Sequence, residues 1–520
     1  MPTEKAFGGG VAQSIIGSGV MVLMIVAIIL VFLLPRRFVL APLMFGVFLL
    51  PFGQTFVLGG VHVFVFRLVL LAGLIRAIAS RPSESPLFAG GCNTVDKLFI
   101  AGTLWGAVAF ILRFREMGAV TNQIGMLWDV LGGYLAMRFL IRDDDDVQRA
   151  IKILTSVAAI LAVTVLYEKI YDVNLYERIA GHPIIPEIRN GSIRAQGPFH
   201  HAILAGCFGA TLLPLFFWLW KSGKSKIFGI VGMFASTAIT FSSASSTPVS
   251  AYLAGILGIT FWLLRKKMRA IRWGIVVGVV LLNFAMHAPV WYFLEHIDLA
   301  GGSAGEHRAE LIDNFVRHFG DWWLIGTSDN ANWGFEMWDI SNQYIAQGEG
   351  GGLVSFVCFV AVITLSFKKI GASRKSNEGD RVNEWYFWLL GVALFSNIVA
   401  FLGISYFDQT QVSWYALLAM ISVATSPLLT AKSVANSVRT ELPHSLAKQP
   451  KAFVSSPPNE NARWPSDYGK SIARPGYKRT AAPRGNDSRK EILVSILQRV
   501  QKHFPFSGPD GFPLVTKVSS

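Results

Sequence analysis

Long apolar runs separated by short polar connections fill the first 430 residues of this 520-residue chain. A helix needs about 20 mostly apolar residues to cross the hydrocarbon core of a bilayer. Runs that approach this length lie at 14–34, 38–57, 61–79, 97–113, 124–142, 151–170, 200–220, 227–243, 248–264, 273–293, 351–367, 385–405 and 412–430. We therefore predict an all-α polytopic membrane protein whose residues 1–430 form about 12–13 transmembrane helices.

The composition excludes an ordinary soluble protein, because 52% of the residues are hydrophobic and only 15% are charged, against about 25% charged in soluble domains. The first apolar run is too long for a signal-peptide core and lacks a small-residue cleavage site, so it is predicted to span the membrane. The three cysteines show neither a disulfide framework nor a metal-ligand spacing. Walker A and HExxH motifs are missing from the sequence. We predict no metal and no cofactor.

The net charge of +14 comes from basic residues in the connections and the carboxyl-terminal segment, without one compact basic module. This is the positive-inside pattern of membrane proteins, and it argues against a nucleic-acid partner. Basic residues follow alternate helices, for example at Arg36, Arg76 and Arg265, which places those connections in the cytosol. The opposite side carries two long segments, 171–199 and 294–350, the second between the tenth and eleventh predicted helices.

The last segment, 431–520, changes character, because Lys, Arg, Ser, Pro, Asn and Gly dominate it up to about residue 488. This composition predicts a disordered cytosolic tail. Near its end, 489–504 has apolar residues at helical spacing on one face and basic residues elsewhere. Such an amphipathic helix either lies on the anionic inner leaflet or is a weakly helical tail without a separate role.

Polar residues at the non-cytosolic helix ends are the candidates for chemistry. Arg194 lies in SIRAQGPFHH just before a predicted helix, with His200 and His201 at its end. A guanidinium suits pyrophosphate or carboxylate, and histidine titrates near neutral pH. The alternative for this stretch is an interfacial anchor with a turn-forming Gly-Pro. Arg308 either binds an anion or pairs with Glu306 or Glu310 at helical spacing.

A third polar group, Asp339, Asn342 and Tyr344, precedes the glycine-rich stretch 348–352 that leads into a predicted span. These residues either cap that helix or face a polar substrate, with the glycines allowing close backbone approach. Within predicted spans, Arg67 and Asp129 are ionisable and therefore mark a cavity or a partner, unless they reach an interface by snorkelling.

In their order along the chain, these residues resemble the O-antigen polymerase and ligase superfamily of bacterial envelope glycosyltransferases. The resemblance covers about residues 10–430 and is carried by short motifs. These are Arg-x-x-Gly-x-Phe-His at 194–200, a small-residue link at Ser242 to Ser246, Gly-x-x-Arg at 305–308, Leu-x-Gly-Thr at 324–327, then Asp339, Asn342 and Tyr344, and Gly-Gly-Leu at 351–353.

The resemblance implies a GT-C-like fold in the bacterial inner membrane, a periplasmic active site and metal-independent polymerisation of undecaprenyl-diphosphate-linked repeat units. Its partners would be that glycan and membrane lipid, with a chain-length regulator left open. By this resemblance Arg194 and Arg308 would bind pyrophosphate. The full set it implies comprises catalytic Arg308, Asp339 and Asn342, and substrate-binding Arg194, His200, His201, Arg67 and Tyr344.

Two other functions remain open from the sequence. Ligases of the superfamily have a histidine beside the asparagine of the late motif, whereas Ser341 precedes Asn342 here. This departure favours a polymerase over a ligase and leaves Asp339 or His307 as the base. A transporter or flippase would show two related halves with broken helices and more ionisable residues at mid-membrane, and no clear repeat is found in the sequence.

Overall fold

The computed structural model describes residues 16–58, 61–80, 86–223, 225–296 and 304–427, and most of them are helical. The helices before residue 200 are α1 (Ser18–Leu33), α2 (Leu40–Leu49), α3 (Val65–Ala79), α4 (Thr94–Phe114), α5 (Met117–Leu127), α6 (Gly133–Leu140), α7 (Asp144–Tyr171) and α8 (Glu177–Ala180). Those after it are α9 (Ala202–Lys221), α10 (Lys226–Ser242), α11 (Ser246–Thr260), α12 (Met268–Ala285), α13 (Ala304–Arg317), α14 (Phe319–Trp322), α15 (Gln343–Ser376), α16 (Arg381–Phe401) and α17 (Asp408–Ala424). The predicted tail at 431–520, with its amphipathic helix at 489–504, lies outside the described residues.

Short helical turns complete the elements. A π-helical turn at Trp128–Gly132 joins α5 to α6. The 3-10 turns lie at Arg36–Phe38, Phe261–Lys267, Val290–His296 and Asn330–Trp333.

Six helical stretches in the described ranges are long and apolar enough to cross a membrane. They are α4, α7, α9, Ser246–Ala285, α15 and α16. Apolar side chains also cover outer surfaces: none of α12 is buried, and Trp273, Leu281 and Phe284 are exposed. A continuous apolar surface of this kind suits lipid rather than water. The prediction of a helical chain with several helices able to span a membrane is confirmed, while the count of 12–13 crossings stays a prediction.

Helices α9 and α17 form the centre of the bundle, and nearly all of their residues are buried. Helix α9 packs against α7, α10, α11 and α16. Small residues allow the closest of these contacts, since the Ser236 hydroxyl of α10 donates a 2.7 Å hydrogen bond to the Gly209 carbonyl of α9. Small and hydroxyl-bearing residues at such interfaces are typical of helices that pack within a bilayer.

Two antiparallel hairpins depart from the all-α prediction. Strand β1 (Thr55–Leu58) pairs with β2 (Val61–Phe64), and β3 (Glu187–Arg189) pairs with β4 (Ser192–Arg194). The predicted span at 38–57 is therefore wrong in its second half, because α2 ends at Leu49 and the chain turns extended. Leu50 precedes Pro51, and the residue before a proline is disfavoured in helical conformation.

Helix α15 is broken at Gly351 and Gly352, and Gly352 has a left-handed φ of 68°. The break frees the Glu349 carbonyl, which accepts hydrogen bonds from the Thr327 amide at 3.0 Å and from the Arg113 guanidinium at 2.7 Å. A backbone break at membrane depth needs such partners, because lipid offers none. The close backbone approach predicted at the glycines thus occurs within the chain, because the backbone of Trp323 and Leu324 packs against Gly352.

Candidate functional site

Arg194 is presented by the β3–β4 hairpin. Asn190 and Gly191 form the turn, both with positive φ, and the register sets Arg194 directly opposite Glu187. The Arg194 Nη1 atom donates to Glu187 Oε2 at 2.5 Å, and only 4% of the arginine is exposed. The hairpin therefore fixes one face of the guanidinium and leaves the carboxylate half-exposed.

The end of α7 holds this hairpin and the turn that follows it. The Lys169 ammonium donates to the Ser192 hydroxyl at 2.7 Å and to the Ile193 carbonyl. The carboxylate of the neighbouring Glu168 is fully buried and accepts from the amides of Gln196 and Gly197 at 3.2 and 2.8 Å. Because an anchored backbone holds its side chains in place, these two α7 residues position Arg194 from both sides.

The small-residue link between α10 and α11 lies against β4. The Ala195 amide donates to the Ser242 carbonyl at 3.1 Å, and the Arg194 Nη2 atom donates to Ser245 Oγ at 2.7 Å. Within the link, Ala244 has a positive φ of 43°, a conformation that costs an L-residue about 1–3 kcal/mol. The link is therefore a constrained turn whose Ser245 hydroxyl contacts Arg194.

Arg308, on α13, reaches the same turn from the opposite segment of the chain. Its Nη2 atom donates to Thr247 Oγ1 at 2.7 Å, and its Nη1 atom lies 3.5 Å from Ser246 Oγ. Since Ser245, Ser246 and Thr247 are consecutive and adjacent Cα atoms are about 3.8 Å apart, the two guanidinium groups lie on the same helical turn. The structure thus brings Arg194 and Arg308 together. The described hydrogen bonds of Arg308 go to Ser246 and Thr247 and not to Glu306 or Glu310.

The start of α11 adds to the positive potential at this place. Its first-turn amides are unused by the helix itself, and the helix dipole places partial positive charge there. Two arginines, the hydroxyl of Ser246 and a helix start form a set of donors that suits a polyanion. We call this set the arginine site.

His200 and His201 precede the spanning helix α9 and lie beside this site. The His200 ring packs against Phe52 and Phe407, with centroids 4.9 and 5.7 Å away, and burial followed by the neighbouring His201 lowers its pKa. His201 is exposed, and the charges of Arg194, Glu187 and Asp339 act on its ring. The predicted histidines therefore lie beside the arginine site. His200 packs among aromatic rings, and His201 lies among charged side chains.

Asp339 is exposed and belongs to the segment before α15. The His307 Nε2–H group of α13 donates to the Asp339 backbone carbonyl at 3.1 Å, so the segment is tied to the helix that carries Arg308. Asp339 thus lies near the arginine site, and its carboxylate acts on His201.

Asn342 has the capping role that the sequence left open as the alternative. Its Oδ1 accepts from the amides of Tyr344 and Ile345 at 2.9 and 3.3 Å, and its Nδ2 donates to the Leu402 carbonyl at 3.3 Å. The Tyr344 ring packs against Phe359, at 5.6 Å between centroids. Catalysis by Asn342 and substrate binding by Tyr344 stay predictions, since these contacts are structural.

Arg67 is paired with the other ionisable residue that was predicted inside a span. Its Nε and Nη2 atoms each donate to the Asp129 carboxylate at 2.6 Å, and its guanidinium also lies over the Phe64 ring. Asp129 is therefore the partner of Arg67. The described contacts do not link Arg67 to the arginine site, and its substrate-binding role stays a prediction.

Sequence reasoning missed Glu187, Glu168 and Lys169, although the Asn-Gly pair between Glu187 and Arg194 is a recognised hairpin signal. Glu168 and Lys169 carry no comparable signal, because only the fold shows that the end of α7 meets the hairpin. Among the described residues, no group of three or more His, Cys, Asp or Glu is placed to hold a metal ion.

A cavity of about 310 Å³ lies beside the segment 402–407, where Ser405, Tyr406 and Phe407 line it. Its lining includes α15 residues on both sides of the helix break, from Gln343 to Val362. Apolar and aromatic side chains dominate the lining, among them Phe99, Met126 and Trp414. Segment 402–407 thus contacts both the arginine site and the cavity. Its Gly403 carbonyl accepts a hydrogen bond from Thr247, and its Phe407 side chain lines the cavity.

Gly403 is the contact through which this segment supports Arg308. The Thr247 hydroxyl, which accepts from Arg308, donates to the Gly403 carbonyl at 3.2 Å, and a Cβ atom on residue 403 would collide with that hydroxyl. We expect Gly403→Ala to displace Thr247 and lower activity about a hundredfold, the usual effect of a 1 Å misplacement. Turnover is compared with Gly371→Ala, where a Cβ meets nothing within 4 Å. Equal turnover in both variants would contradict this role of Gly403.

No protein-family model matches the chain, and no curated protein matches it. Function is therefore inferred from the chain's own residues.

Proposed function

We propose that this protein polymerises undecaprenyl-diphosphate-linked oligosaccharide repeat units at the periplasmic face of the bacterial inner membrane. The proposal includes a GT-C-like fold with 12–13 membrane crossings and a cytosolic carboxyl-terminal tail. The observation that carries it is the arginine site, where Arg194 and Arg308 contact consecutive hydroxyl-bearing residues at the start of an apolar helix.

A diphosphate suits this site better than a single carboxylate. Each guanidinium is planar, permanently charged and able to donate to two oxygens, so two of them match two linked phosphates. Glu187 neutralises only part of the Arg194 charge, because its carboxylate is half-exposed. A ligand with several negative charges suits two arginines beside a helix start.

The cavity beside segment 402–407 suits the lipid part of such a substrate. Its volume of about 310 Å³ is at the lower end of the range for ligand pockets. It is lined mostly by apolar and aromatic side chains, which favour a hydrocarbon chain over a free sugar phosphate. A diphosphate at the arginine site and an isoprenoid segment in the cavity would both lie against segment 402–407, at Gly403 and at Phe407.

The chemistry that follows is glycosyl transfer. A sugar hydroxyl of the incoming unit attacks the anomeric carbon of the donor chain, a new C–O bond forms, and the bond to the diphosphate oxygen breaks. Undecaprenyl diphosphate leaves with the electron pair, and the hydroxyl proton passes to a base. Arg194 and Arg308 stabilise the negative charge that develops on the leaving diphosphate. Stabilisation of developing charge by fixed donors is usually the largest single contribution to catalysis.

Purified protein in detergent, mixed with lipid-linked repeat units, tests this function. We expect a ladder of lengthening glycans on a gel together with release of undecaprenyl diphosphate. Addition of a second lipid acceptor separates the ligase alternative, because a ligase moves one glycan to that acceptor without building a ladder. Absence of both products from folded protein would overturn the proposal.

A further inference from the structure

His201 has a position that differs from that of every other described histidine near the arginine site. It is the residue immediately before α9, in an extended conformation, and its side chain is exposed. Glu187 and Arg194 of the hairpin and Asp339 of the segment before α15 are close enough for their charges to act on its ring. Two separate segments thus place three charges around one accessible imidazole.

Neither ring nitrogen of His201 has a hydrogen-bond partner within the ranges that the structure describes. Its ring contacts are with His200 at 4.3 Å and Phe407 at 6.0 Å between centroids. The imidazole is thus oriented by rings on one side, while its nitrogens remain available to a ligand.

The neighbouring candidates for a base are less suitable. His307 uses Nε2 to donate to the Asp339 carbonyl, and the His200 ring lies between Phe52 and Phe407. The Glu187 carboxylate pairs with Arg194 at 2.5 Å, which makes it a weaker proton acceptor. Asp339 is exposed to water, where a carboxylate is a poor base for a sugar hydroxyl.

We propose that His201 is the general base that takes the proton from the acceptor sugar hydroxyl, an inference that rests on the proposed polymerase function. The proton moves to an imidazole nitrogen as the hydroxyl oxygen bonds to the anomeric carbon and the diphosphate leaves with its electron pair. Asp339 and Glu187 then stabilise the imidazolium, which later loses its proton to water.

The electrostatics agree with this role. Burial lowers the pKa of His201 below the usual 6.5, Arg194 lowers it further, and Glu187 and Asp339 oppose the shift. His200 is the titratable neighbour on its own segment. The ring is therefore neutral at pH 7 and able to accept a proton. Activity that needs the neutral ring is fully present above this pKa and is lost as the pH falls through it.

The test measures the rate of polymer formation between pH 5 and 9 in detergent with lipid-linked repeat units. We expect the wild-type rate to fall at acidic pH with the slope of one proton. His201→Gln should lower the rate about 10²–10⁴-fold, the usual contribution of a general base, and should lose this acidic fall. His318→Gln is the matched control, because His318 is half-buried and pairs with Asp321 away from the arginine site, and it should keep both rate and pH profile.

A second variant separates lost chemistry from lost structure. His201→Ala leaves space at an exposed position, and added imidazole should restore part of its rate. Wild-type protein that makes no polymer would refute the proposed function itself. Wild-type protein that polymerises while His201→Gln keeps its rate and acidic fall would overturn only the role of His201, as would His201→Ala that imidazole does not rescue.

Discussion

Arg308→Ala is expected to lower the rate of polymer formation by about 10²–10³-fold, the loss that follows removal of one fixed donor to a developing negative charge. The guanidinium donates to Thr247 and lies beside Ser246, so its removal takes away half of the arginine site. The variant should accumulate single repeat units, because binding of the donor diphosphate and departure of the lipid carrier both weaken. Initial rates of undecaprenyl diphosphate release in detergent measure the effect.

Two companion variants make the result specific. Arg308→Lys keeps the charge and loses the planar fork, so it should recover only part of the rate. Arg317→Ala, on the same helix, removes a guanidinium that is 69% exposed and pairs with Asp313. That control should polymerise at the wild-type rate, since the described contacts of Arg317 are with Asp313 and not with the arginine site. A normal length ladder from folded Arg308→Ala would remove this arginine from the mechanism.

The membrane helices were predictable because the property that identifies them is local to each segment. The run at 97–113 corresponds to α4 (Thr94–Phe114), and the run at 200–220 corresponds to α9 (Ala202–Lys221). The β3–β4 hairpin was also within reach, because Asn190-Gly191 is a strong hairpin signal. Recognising it would have predicted Glu187 as the cross-strand partner of Arg194.

The contacts that assemble the site were beyond sequence reasoning, because they join residues far apart along the chain. Arg308 and Thr247 are separated by 61 positions, and Arg67 and Asp129 by 62. Such pairs are fixed by how helices pack, and one sequence does not encode that packing in any local pattern. For Asn342 the sequence offered helix capping as an alternative to catalysis, and the structure shows Asn342 capping α15.

One such distant pair predicts the largest loss of stability in the chain. Arg138 of α6 donates to the Asp96 carboxylate of α4 at 3.0 Å, and the two side chains are 1% and 0% exposed. Arg138→Ala leaves that carboxylate buried with only the Tyr134 hydroxyl and the Asn93 amide as donors. Breaking a buried pair by removing one partner costs about 3–5 kcal/mol. The midpoint of thermal unfolding in detergent should fall by roughly 5 °C.

A double variant decides whether the loss comes from the uncompensated charge or from lost packing. Asp96→Asn combined with Arg138→Met removes both charges and keeps most of the volume, so it should recover much of the lost stability. Lys266→Ala, which breaks a pair that is exposed on both sides, should unfold near the wild-type temperature. If the double variant is as unstable as Arg138→Ala, the guanidinium contributes through its contacts with the Ala89 and Gly91 carbonyls rather than through its charge. No described hydrogen bond or ion pair joins the buried pair to Arg194 or Arg308, so either outcome leaves the arginine site intact. The fraction of Arg138→Ala that stays folded should therefore polymerise at the wild-type rate per folded molecule.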